Sequence, residues 1–199
     1  MSSKSVEFFD SQFRKQVENW DFSLNPFERL ALPHLAGEVL DLGCGLGNLA
    51  IEAARLGMRV TALDGSATAI DRIRRVAAED ALAIEAGQTD LAAYRIAGEY
   101  DSIVCIGLLM FFPEARARAV LAEIAGRVRP GGVAAVNVLT TGTTFMGMFE
   151  AGHHHLFAPG ELAAAFPGWS LLEERRETYP APNDTRKVFD TVVMRRPTA

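Results

Sequence analysis

Val39-Leu40-Asp41-Leu42-Gly43-Cys44-Gly45-Leu46-Gly47-Asn48 is the stretch on which the fold turns. An apolar strand pattern runs into three glycines at alternate positions. A helical pattern follows at once over residues 48–56 and stops at Gly57. A second strand at 59–63 ends on Asp64, and Ser66 caps a helix that runs through Glu79. Beyond it, 81–86 read as a weaker third strand and 100–106 as a fourth. Residues 114–128 read as a helix ended by Pro130-Gly131-Gly132, and 133–139 as a fifth strand. Strands separated by helices are βαβ units, which imply a mostly parallel sheet with helices on both faces.

The two ends of the chain depart from that alternation. Residues 169–176 and 188–195 are both strand-like with no helix between them, and 177–187 are rich in turn residues. The pair is expected to form an antiparallel hairpin that closes one sheet edge. Upstream, Val6, Phe9, Phe13, Val17 and Trp20 recur every three to four residues, an amphipathic helix over roughly residues 5–20. Asn25-Pro26 opens a second helix with Phe27, Leu30, Ala31 and Leu35 on its apolar side.

Composition bounds the rest. The chain has 199 residues, enough for one domain, with 49% hydrophobic and 23% charged residues. The net charge is −5, and the pairs Arg74-Arg75, Arg175-Arg176 and Arg195-Arg196 are scattered among acids. Nonspecific nucleic-acid binding needs a basic field, so no nucleic-acid partner is expected. No apolar run is long enough to span a bilayer, and the N-terminal residues lack a secretory pattern. The expectation is a cytoplasmic protein with no membrane partner. Cys44 and Cys105 lie in apolar segments and form no zinc spacing, so no metal is expected.

Glycines at a strand-to-helix turn let a ligand approach the backbone, at the sheet end where doubly wound folds bind. Asp64, at the end of the second strand, is placed to accept the ribose hydroxyls of a nucleoside. Dinucleotide folds use G-x-G-x-x-G, whereas here the pattern is Gly43-x-Gly45-x-Gly47 preceded by Asp41. An acid at that place repels a pyrophosphate and attracts a cation. S-adenosylmethionine carries an ammonium and a sulfonium and no phosphate, and charge alone favours it.

DLGCGLGN followed by ALDGS resembles motif I and the acidic loop of class I S-adenosylmethionine-dependent methyltransferases. Gly87-Gln88-Thr89-Asp90-Leu91 is similar to that family's loop after strand three, Tyr100-Asp101-Ser102-Ile103-Val104 to its strand four, and Val128-Arg129-Pro130-Gly131-Gly132 to the turn before strand five. The resemblance implies a Rossmann-like α/β seven-stranded sheet of order 3-2-1-4-5-7-6 with an antiparallel last strand. Residues 1–36 become an N-terminal helical lid, and 37–199 the cofactor-binding domain. It implies a cofactor site at Asp41, Gly43, Cys44, Gly45, Gly47, Asn48, Asp64, Gly65, Ser66, Thr89, Asp90, Leu91, Ile106 and Gly107. S-adenosylhomocysteine is then the product.

The acceptor is less marked. After strand four the chain reads Ile106-Gly107-Leu108-Leu109-Met110, without the (D/N)-P-P-(Y/F) of nucleic-acid amino methyltransferases and without a metal-binding Asp. An apolar loop with no evident base suits a small nucleophile that ionises by itself: a thiol, a selenol or a selenite- or tellurite-type oxyanion. Leu108 to Phe112, Phe157 to Leu162 and Gly168-Trp169 resemble the TehB-type tellurite/thiol methyltransferases, although their hairpin His-Arg pair is reduced here to Arg186. Residues 140–158 read as an adaptable apolar substrate loop. Its His153-His154-His155 are either exposed loop residues or a source of one base or imidazolium. His155 and Arg186 are the candidate catalytic residues, and Phe13, Trp20, Phe111, Met146 and His153 the candidate acceptor contacts. Two other readings stay open: a small-molecule O- or N-methyltransferase with a histidine base, and a catalytically silent cofactor-binding partner protein. The oligomeric state is not legible.

Overall fold

The computed structural model describes residues 3–19 and 22–198. Seven strands form one sheet: β1 (Glu38–Leu42), β2 (Arg59–Asp64), β3 (Ile84–Gln88), β4 (Tyr100–Ile106), β5 (Val128–Leu139), β6 (Ser170–Ala181) and β7 (Thr185–Arg195). Their order is β3-β2-β1-β4-β5-β7-β6, as the resemblance implied. The first five are parallel, and β7 runs antiparallel to both β5 and β6.

Among the described residues six α-helices accompany the sheet: α1 (Ser3–Glu18), α2 (Pro26–Ala31), α3 (Asn48–Arg55), α4 (Ala67–Glu79), α5 (Glu114–Arg127) and the short α6 (Glu161–Ala164). Strand alternation divides the core into two apolar layers. Leu40 and Leu42 of β1 join Ile103, Cys105 and Val136 under α5 and α6. Val39, Val60, Val104 and Ala135 face the other way, toward α3 and α4. The helix starts follow their sequence signals. Ser66 Oγ accepts from the Ala69 amide, and Asn25 and Glu28 form a reciprocal capping box behind Pro26.

Three boundaries differ from the sequence expectation. The third strand lies at Ile84–Gln88 rather than 81–86, because Ala81 takes a positive φ of 51° in the turn out of α4. The Pro130-Gly131-Gly132 turn is a bulge inside β5, where pairing slips between Tyr100↔Val128 and Ser102↔Val133. Residues 177–187 are mostly strand, and the hairpin turns only at 182–184. Asn183 and Asp184 take the left-handed conformation there, which their short polar side chains tolerate. Pro180 sits on β6, an edge strand, where the missing N–H costs no ladder bond. Among the described residues no helix is long and apolar enough to cross a membrane.

Candidate active site

A cavity of about 440 Å³ opens at the carboxyl ends of β1, β2, β4 and β5. Its first half is the glycine turn. The amides of Gly43 and Cys44 donate to the Leu63 carbonyl and fold the turn back onto β2. Gly45, at φ +52°, presents a bare face to the ring of Phe13, which a Cβ would meet at 3.3 Å. Gly47 serves packing instead. Its Cβ would lie 2.4 Å from Ile73 Cγ1 of α4, and it does not reach the cavity.

Three carboxylates face this half: Asp41, Asp64 and Glu28. Asp64 accepts from the amides of Gly45 (3.0 Å) and Ser66 (2.8 Å), which leaves lone pairs free on both oxygens. Burial raises its pKa, and those amides partly offset the rise. Asp41 is 4% exposed, and its Oδ2 has no hydrogen-bond partner. Burial raises its pKa well above the usual carboxylate range, and the negative charges of Glu28 and Asp64 add to the rise. Burial likewise raises Glu28. Burial lifts the pKa of Cys44 so far that its thiol stays neutral, a wall atom rather than a nucleophile.

The second half is apolar. Phe9, Phe13, Phe27, Phe111 and Phe189 line it with Met110 and Met148. Polar groups interrupt it, among them Asn137 and Lys187. Asn137 of β5 is fully buried, gives its amide to Thr191 Oγ1 (2.8 Å), and leaves Oδ1 unpartnered. Lys187 of β7 places its ammonium 4.9 Å from the centre of the Phe145 ring, and burial lowers its pKa. Among the described residues Lys187 is the one cation in the cavity wall.

Of the residues named from the sequence, Asp41, Gly43, Cys44, Gly45, Asn48, Asp64, Gly65, Ser66, Ile106, Gly107, Phe13 and Phe111 stand in this wall. Thr89, Asp90 and Leu91 do not: Leu91 is buried in the α5 layer, and Asp90 caps its own turn through the Ala92 amide. Arg186 faces outward, donating from Nε to the Gly142 carbonyl (3.0 Å). Met146 is 38% exposed, and His153 is exposed beside the Ala151 carbonyl. The His155 ring packs edge-on against Phe157, with Nε2 3.8 Å from Glu161 Oε1, behind the loop and outside the cavity. Trp20 lies outside the described residues. Glu28, Asn137, Lys187 and Phe189 are cavity residues that the sequence reading did not single out.

Residue contacts also carry the N-terminal helix across the cavity. Asp10 accepts from Ser66 Oγ (2.5 Å), and Phe9 meets Phe111 edge-on at 5.1 Å. Val6 lies beside Gly65.

Residues 39–132 match the family described as a methyltransferase domain. A ubiquinone biosynthesis O-methyltransferase of Xanthomonas campestris pv. campestris is 31% identical over 153 residues, covering 68% of this chain and 62% of that protein. TehB from Haemophilus influenzae superposes with a TM-score of 0.74 at 23% identity, covering 87% of this chain and 62% of that one. N-methyltransferase NodS from Bradyrhizobium japonicum WM9, in complex with S-adenosyl-l-homocysteine, gives 0.71 at 18%, covering 98% and 100%. The chain spans only 32% to 62% of the length of the first curated relatives it matches. Domain match, relatives and fold make the chain similar to the class I S-adenosylmethionine-dependent methyltransferases. Its fold resembles that of TehB.

Proposed function

We propose that this chain transfers a methyl group from S-adenosylmethionine to a small soft nucleophile: a thiol, a selenol or a tellurite- or selenite-type oxyanion. The observation that carries the reading is the contrast between the cavity's two halves. Carboxylates gather at the glycine turn, whereas the rest of the wall holds phenylalanines, methionines, the buried Asn137 and one half-buried lysine.

The first half fits the cofactor. An unpartnered buried carboxylate oxygen on Asp41 calls for a cationic hydrogen-bond donor. Asp64 would hold the ribose hydroxyls with its remaining lone pairs, and the bare face of Gly45 would admit the methionyl chain. S-adenosylmethionine supplies a methyl group already activated on a sulfonium, so the protein's task is alignment and exclusion of water. Phe9, Phe13 and their cavity-lining neighbours on α1 roof the cavity, in keeping with a lid role for the N-terminal segment.

Among the described residues no imidazole stands in the cavity wall to take a proton, and its three carboxylates, Glu28, Asp41 and Asp64, are those assigned to the cofactor. His155 is turned toward Glu161 and Phe157. An acceptor that ionises in water needs no such base. Lys187 attracts its anion, and the phenylalanine and methionine wall removes its hydration. The test is a methylation screen with a simple thiol, selenite and tellurite, with a phenol and an amine as controls. Turnover of the thiol or an oxyanion above the controls supports the reading; methylation of the phenol or amine alone overturns it. The names of the curated relatives favour a second reading, O-methylation of an acidic hydroxyl, which the phenol control detects.

A further inference from the structure

Glu28 is the carboxylate that neither the glycine turn nor the acidic loop supplies. It comes from α2, upstream of the matched domain, yet it lines the same wall as Asp41. One of its oxygens, Oε2, accepts from the Asn25 amide at 2.7 Å, which is its part in the capping box. That bond accounts for one oxygen and none of its placement in the cavity. The same wall holds the buried Asp41 Oδ2, which has no hydrogen-bond partner. Asp64, by contrast, already takes two backbone amides. Two carboxylates with oxygen to spare therefore share one field at the edge of the glycine turn. A sulfonium offers them no hydrogen, whereas an α-ammonium offers three compact donors.

We propose that Glu28 is a cofactor ligand which, together with Asp41, holds the α-ammonium of the methionyl group. This inference rests on the methyltransferase reading. It makes α2 part of the cofactor site, so that residues outside the matched domain complete it. The capping box then has a second effect: the Asn25 amide fixes the carboxylate that meets the ligand.

The experiment compares two nucleosides by calorimetry on the full chain. S-adenosylhomocysteine carries the methionyl ammonium; 5′-methylthioadenosine lacks the whole amino-acid portion. Glu28→Gln keeps a capping-box residue and removes the charge. It is expected to weaken S-adenosylhomocysteine about tenfold, the scale of one charged hydrogen bond, and to leave 5′-methylthioadenosine within about twofold. Asp41→Asn is expected to show the same selectivity. An unchanged affinity for S-adenosylhomocysteine in Glu28→Gln overturns the inference while leaving the methyltransferase reading intact. Equal losses for both nucleosides also overturn it, because they report a disturbed fold rather than a lost charge contact. If the wild-type chain binds neither nucleoside, the methyltransferase reading fails and takes the inference with it.

Discussion

Asp41 and Asp64 stand at the carboxyl ends of adjacent parallel strands, one residue before the last of β1 and at the last of β2, and their surroundings give them different tasks. Asp64 is held in place by the amides of Gly45 and Ser66, so its geometry is set before any ligand arrives. Asp64→Ala is expected to weaken S-adenosylhomocysteine by about 1–3 kcal/mol, since ribose hydroxyls lose a charged acceptor; calorimetry measures it. Asp41 stores an electrostatic cost. Its folded pKa is raised, so the folded chain holds the proton more tightly than the unfolded chain does. That contribution to stability is complete below the unfolded carboxylate pKa and is lost as pH rises through the folded one. Asp41→Asn is therefore expected to stabilise the ligand-free protein at pH 7 by on the order of 1 kcal/mol, with the gain vanishing toward pH 4. Urea unfolding at the two pH values reads it; a loss of stability at pH 7 contradicts it. Both acids were legible from the glycine pattern and from the end of the second strand. Glu28 was not singled out from the sequence, because its place in the cavity depends on how α2 docks.

At the scale of elements, the glycine turn separates a binding role from a packing role. Gly45→Val, at a positive φ and against Phe13, is expected to abolish cofactor binding in a chain that still folds. Gly47→Ala acts on the α4 contact instead. Its methyl must displace Ile73, and a stability loss of about 1–3 kcal/mol is expected in thermal or urea unfolding. The hairpin shows where sequence reading stops. With 177–187 taken as turn, Arg186 stood as its free cation. Once β7 begins at Thr185, strand alternation sends Lys187 and Phe189 into the cavity and Arg186 out to Gly142. Thr185-Arg186-Lys187-Val188-Phe189 carries no apolar alternation that states which face is buried, so only the register with β6 decides it. Lys187→Met is accordingly expected to raise KM for an anionic acceptor about tenfold while leaving S-adenosylhomocysteine affinity unchanged, whereas Arg186→Met spares both. Steady-state kinetics paired with calorimetry separates the two variants.

Across the whole molecule, the alternation of strands and helices was legible because each βα unit carried its own glycine, cap or proline, and the strand order was what the family resemblance implied. What the sequence withheld was the convergence of distant segments. The cavity is assembled from α1, α2, α3, β1, β2, β4, β5 and β7, so its acceptor side depends on contacts between residues more than a hundred positions apart, such as Phe27 with Phe189 at 4.8 Å. The histidines of the 140–158 loop had the chemistry of a base but not the position. His155 donates its backbone amide to Met110 and turns its ring to Glu161. The central claim is that the acceptor brings its own ionisation and the protein brings alignment. It is tested most directly by the pH dependence of kcat/KM for methyl transfer to a series of thiols of graded acidity. The account predicts a rising limb that moves with the pKa of each thiol and reaches a plateau, in the wild type and in His155→Ala alike. A limb fixed near pH 6.5 for every acceptor, and lost together with activity in His155→Ala, would contradict it.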